Sequence, residues 1–62
     1  MIKMDDLVIF RDVRCKVTAT DESQTTFEPI EPKPEMRRVT CSTPDLQLSE
    51  ATGMYFLPGR LL

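Results

Sequence analysis

Histidine and tryptophan are absent from this chain, glycine occurs twice and tyrosine once. Without imidazole no side chain has an ordinary pKa near neutrality, so the usual general base and the usual activator of a thiol nucleophile are missing. Two glycines cannot build a glycine-rich phosphate loop. Cys15 and Cys41 are the only thiols. They are too few for a disulfide scaffold, and a structural zinc site needs about four Cys or His ligands. Long apolar runs are missing as well. The longest, Leu7–Phe10 and Met54–Leu57, hold four residues each, against the roughly 20 that a membrane span requires. Residues Met1–Asp6 place two acids where a secretory leader would carry its apolar stretch. A reduced, cytoplasmic protein is expected, with no cofactor, metal or membrane contact.

What is present is enough for one modest core. Forty per cent of the 62 residues are apolar, and a chain of this size buries only about 60% of its unfolded surface. One small domain spanning 1–62 is expected, without a deep cleft. The net charge of −2 is unremarkable, but its distribution is uneven. Met1–Thr20 and Met36–Leu62 each carry +1, whereas Asp21–Glu35 carries −4. No part of the chain has the strongly basic balance of a dedicated nucleic-acid binder.

Period-two alternation dominates the first half. In Val13–Thr20 four small apolar side chains alternate with four polar ones, which is the pattern of a half-buried strand. Leu7–Phe10 is wholly apolar and suits a strand buried on both faces, joined through Arg11-Asp12 by a hairpin or a bulged bend. After the polar turn Asp21–Gln24, residues 25–28 resume a β pattern anchored by Phe27. An acidic, proline-rich loop follows over 28–35, extended and unable to enter a central ladder. Met36–Ser42 alternates again, with Val39 and Cys41 on one face. Thr43-Pro44-Asp45 is a helix-start signal, yet Leu46 and Leu48 have strand spacing. One short helical turn within 43–51, running into a strand, reconciles the two. Pro58-Gly59 has the form of a type II turn that would fold Leu61-Leu62 back on Met54–Leu57.

Short strands separated by turns, with little helix, point to a small sheet curled toward a barrel. Asp6-Leu7-Val8-Ile9-Phe10, then Cys15-Lys16-Val17 and the acidic turn at Asp21, resembles the opening of small SH3-like barrels. Arg38-Val39-Thr40 followed by Asp45-Leu46-Gln47-Leu48 is similar to the late strands and 3₁₀ turn of that fold. Such barrels usually carry glycine in the first loop, where this chain has Arg11-Asp12-Val13-Arg14. The resemblance implies a mainly β, open SH3-like barrel of about five short strands. It also implies kinship with the small accessory proteins of bacteria and phages. Function does not follow from such a fold.

The chemical constellations are sparse. Asp5-Asp6 and Asp21-Glu22 are adjacent acids in a terminus and a turn, where neighbouring side chains diverge into solvent. Cys15 and Cys41 share the apolar parity of their strands and behave as small hydrophobes, and a redox bridge would require those strands to pair. Pro29–Pro32 fits P-x-x-P, but so short a motif arises easily by chance, and a stiff acidic loop spacing two strands is the better reading. Arg14, Lys16 and Arg38 share a polar face and form a short basic strip able to track phosphates or simply to remain solvated. No aromatic interleaves it, so a base-stacking platform is missing.

Met54-Tyr55-Phe56-Leu57, with Leu61 and Leu62 beyond it, is the most informative patch. As a strand it is apolar on both faces, and a small barrel hides only one. Core and interface both fit, and one face could serve each. A non-enzymatic interaction module is therefore expected, contacting a protein partner or a second copy through Met54, Tyr55, Phe56, Leu57, Leu61 and Leu62. A nucleic-acid-binding barrel using Arg14, Lys16 and Arg38 is the alternative. A third reading is a structural subunit of a larger, virion-like assembly.

Overall fold

In the computed structural model, which describes residues 1–58, a single six-stranded sheet curls into a half-barrel. The strands are β1 (Leu7–Phe10), β2 (Val13–Thr20), β3 (Gln24–Pro29), β4 (Val39–Ser42), β5 (Gln47–Leu48) and β6 (Tyr55–Phe56), with a 3₁₀ turn at Thr43–Asp45. Their order across the sheet is β4-β3-β2-β1-β6-β5. The first four form an antiparallel meander. After the 3₁₀ turn the chain crosses over, and β6 lies parallel to β1 while β5 pairs antiparallel with β6. The fold is mainly β, as the alternation implies, with six strands rather than five.

The inner face of the curl is the core. Val8, Cys15, Val17 and Phe27 are fully buried, and Ile2 and Leu46 join them in the core. Phe27 sits in register between Val17 on β2 and Val39 on β4. Its ring meets Phe10 edge-on, with centroids 5.7 Å apart and planes 67° from parallel, a favoured aromatic geometry. The N-terminal segment extends the ladder beyond β1. Asp5 donates its N–H to the Val17 carbonyl (3.0 Å), and Val17 donates to the Asp6 carbonyl (2.9 Å). This docking carries Ile2 into the core, a role its isolated position in the sequence does not signal.

Two local features depart from the sequence pattern. Val17 is opposite Phe27 but Ala19 is opposite Thr26, so β2 bulges at Thr18. A bulge adds one residue and reverses the alternation beyond it. Ala19 therefore turns outward, and Thr20 turns inward to meet the buried Thr25 hydroxyl at 2.7 Å. Leu7–Phe10, expected to be buried on both faces, buries only Val8 fully, and Leu7 is exposed. The sheet is covered on one side alone, so the outward residues of β1 meet solvent.

The connections follow the turn chemistry. Phe10 and Val13 are register partners, so Arg11-Asp12 is a two-residue hairpin loop, and both residues have positive φ (52° and 63°). That is the conformation a tight twisted hairpin demands, and Asn-Gly usually supplies it. The proline stretch enters the sheet by one residue, because Pro29 ends β3 opposite Cys15. The next ladder bond comes from Ile30, which donates to the Arg14 carbonyl at 3.0 Å. The 3₁₀ turn and the short β5 are the combination expected within 43–51. Gly53 (φ 74°) ends the β5–β6 loop and donates its N–H to the Ser49 carbonyl at 2.8 Å.

Candidate interaction surface

The two-sided apolar run divides between the two faces of the sheet. Tyr55 is opposite Val8, and Phe56 is opposite Ile9. Tyr55 and Leu57 pack against the core from the inner side. Phe56 and Ile9 stand on the outer side, each partly buried. By alternation Met54 shares that outer face, and Leu7, exposed at 39%, continues it on β1. Leu7, Ile9, Met54 and Phe56 thus form a contiguous apolar patch on the convex face. Leu7 and Ile9 become legible as surface residues only once the sheet is known to be covered on one side. Leu61 and Leu62 lie outside the described residues.

Beside this patch the outer face becomes charged. Ile9 is opposite Arg14 and Leu7 is opposite Lys16, so both cations flank the apolar patch. Glu28 follows Lys16 in register on β3, and the Arg38 side chain reaches the same carboxylate at 3.7 Å. Lys16 also pairs with Asp5 at 3.8 Å. Arg14, Lys16 and Arg38 therefore do belong to one face, but acids partner two of the three. Exposed pairs of this kind contribute little stability, yet they lower the field available to a polyanion.

β5 forms one sheet edge beside the patch. Gln47 and Leu48 are exposed, and Leu48 retains 53% of its surface. Neither residue is charged, so this edge lacks the lysines and prolines that usually block strand pairing. At the other edge, β4 is preceded by Arg37 and Arg38 and by the proline loop.

The thiols lie on the inner side and away from this surface. Both are free of any disulfide, and burial pushes both pKa values up, with Asp45 adding to the effect at Cys41. β3 separates their strands. Cys15 is opposite Pro29, and Cys41 is opposite Thr25. That offset places them about 10 Å apart across the sheet and about 13 Å along it. A disulfide, which needs Cα atoms within about 7 Å, does not join them. Among the described residues no group of three or more His, Cys, Asp or Glu could hold a metal ion. None of the described helices is long and apolar enough to cross a membrane.

Comparison with protein families, with curated proteins and with solved structures finds no match to this chain.

Proposed function

We propose that the protein is a non-enzymatic interaction module in which the outer face of β1 and β6 docks on protein, in the first place on a second copy of the chain. The observation that carries this reading is the pairing of Ile9 with Phe56 on the outer face, extended by the exposed Leu7. A domain this small needs its large side chains in the core. Leaving Leu7 exposed and Ile9, Met54 and Phe56 only partly buried on one face has a cost that an interface removes. The uncharged β5 edge next to the patch supports a second copy as the occupant, because open strands pair readily with their own kind. A different protein of like apolar character would compete for the same face.

An SH3-like barrel is supported by the 3₁₀ turn after β4 and by the return of β6 to β1. Small barrels of that type suggest an accessory or assembly role in a bacterium or phage. Nucleic-acid binding along Arg14, Lys16 and Arg38 has less support, because Asp5 and Glu28 engage Lys16 and Arg38.

Sedimentation velocity over a concentration series tests the proposal. The wild-type chain is expected to gain mass with concentration. An Ile9→Ser/Phe56→Ser variant of unchanged circular dichroism should stay monomeric. A wild-type chain that remains monomeric throughout, or a variant that associates equally well, refutes it.

A further inference from the structure

The opposite end of the sheet carries charge that the apolar interface does not use. Between β3 and β4 the chain folds back on itself, and Met36 donates its N–H to the Lys33 carbonyl at 3.4 Å. This small hairpin and the end of β3 wall an open surface cleft of about 570 Å³, within the volume range of small-molecule sites though less enclosed than most. Lys33, Arg37 and Arg38 line it, and Pro32 and Met36 supply apolar wall. Glu28 is the one acid among the lining residues, and Arg38 contacts it at 3.7 Å. Among the described residues Lys33 and Arg37 have no ion-pair partner. Three cations against one acid give the lining a charge of +2. Glu31 and Glu35 belong to the same loop but do not line this cleft, and Lys33 also borders a neighbouring hollow lined by Asp12 and Glu31.

That excess selects a ligand chemistry. A carboxylate or a phosphodiester brings one negative charge, whereas a phosphate monoester carries about −1.5 to −2 at pH 7. Arginine forks bind phosphate oxygens in pairs, and lysine adds a point charge. The Met36 thioether and the Pro32 ring offer polarizable, adaptable contact to a flat group attached to the phosphate.

We propose that this cleft binds a phosphate monoester carried on a flat, apolar body, of which a nucleoside monophosphate is the simplest case. Lys33 and Arg37 hold the phosphate. Arg38 is shared between Glu28 and the ligand. Met36 and Pro32 pack against the flat group. The site lies across the sheet from the β1–β6 patch, so the two proposals stand or fall separately.

NMR titration of the whole chain with adenosine 5′-monophosphate is the test, with adenosine and inorganic phosphate as partial ligands. The expected result is a saturable shift of the amides of residues 32–38 and of the Met36 methyl, with a dissociation constant of about 1 mM or tighter. Adenosine alone and phosphate alone should each bind more weakly. Lys33→Ala and Arg37→Ala should each weaken binding about tenfold. Glu28→Gln, which releases Arg38, should strengthen it. Arg37→Gln serves as a second variant if Arg37→Ala loses its dispersed spectrum.

A short oligonucleotide with a 5′-phosphate distinguishes a strand end from a free nucleotide as the source of the same chemistry. Binding of that strand, but not of its unphosphorylated form, supports the proposal and extends it to strand ends. Failure of both strands while the mononucleotide binds supports it for the free nucleotide. Equal binding by the two strands would assign the cleft to backbone phosphates and overturn the proposal. So would the absence of a saturable shift, adenosine or phosphate binding as well as the nucleotide, or unaltered affinity in the Lys33 and Arg37 variants.

Discussion

Thr25 is the one polar side chain that is fully buried among the described residues, and its hydrogen bonds have a deducible direction. Thr43 gives its single hydroxyl proton to the Asp21 carbonyl at 2.7 Å. Its contact with Thr25, also 2.7 Å, must then be one in which Thr25 donates, because a hydroxyl has one proton. By the same reasoning Thr20 donates to Thr25 at 2.7 Å. The relay Thr20, Thr25, Thr43, Asp21 ties the ends of β2 and β3 to the 3₁₀ turn with no buried hydroxyl left unsatisfied. Asp21 is also a turn-maker. One of its carboxylate oxygens accepts the backbone N–H groups of Ser23 and Gln24, each at 2.8 Å, and the Ser23 hydroxyl at 3.0 Å. The Gln24 and Ser23 N–H groups hold its pKa below the ordinary 3.8. A carboxylate with a depressed native pKa adds stability that is complete above its unfolded value and lost as pH falls through the native one. Asp21→Asn should therefore flatten the loss of stability below about pH 4, read as the urea midpoint against pH. Parallel acid profiles for the two proteins would show that these bonds do not favour the charged form.

At the scale of elements, the hairpin between β1 and β2 is the clearest conflict between sequence and conformation. Arg11 and Asp12 both adopt the left-handed region, which costs L-residues with a Cβ about 1–2 kcal/mol each, less for aspartate. Arg11 recovers part of this by placing its guanidinium 5.1 Å from the Phe10 ring centroid. Asp12→Gly removes the Cβ strain at φ 63° and should raise stability by about 0.5–1 kcal/mol. Equilibrium urea unfolding checks this, and a destabilised variant would mean that the Asp12 side chain supports the turn. Other elements show why some of the architecture was legible and some was not. Alternation located β2 because half-burial imposes period two, and it failed at Ala19 because a bulge leaves no mark in residue type. The strand spacing of Leu46 and Leu48 and the Thr-Pro signal at 43–44 were both correct, since a 3₁₀ turn occupies only three residues before β5 begins. Pro29 ends a strand without harm, because the ladder continues from the Ile30 N–H.

For the whole molecule, topology decides what the apolar run means. Residue types at Met54–Leu57 showed two apolar faces but not which one is covered. The parallel pairing of β6 with β1 assigns Tyr55 and Leu57 to the core and leaves Phe56 beside Ile9 outside. Arg14 and Lys16 were legible as one face by parity. The acids that answer Lys16 and Arg38 come from Asp5 and Glu28, through a docked N-terminal turn and a third strand that local pattern does not bring near. The cleft around Lys33 was hidden for a similar reason, since a proline-rich stretch gives no periodicity from which to place side chains. What results is a half-barrel whose inner face holds the core, with an apolar convex face at the β1–β6 end and a basic cleft at the β3–β4 end. The most direct test of the central claim is methyl NMR of the wild-type chain across a concentration series, with intermolecular contacts read from a mixed-label sample. The account predicts that Leu7, Ile9 and Met54 methyls shift with concentration and show contacts between copies, while Val8 and Val17 do not. Shifts confined to other surfaces, or none at any concentration, would contradict it.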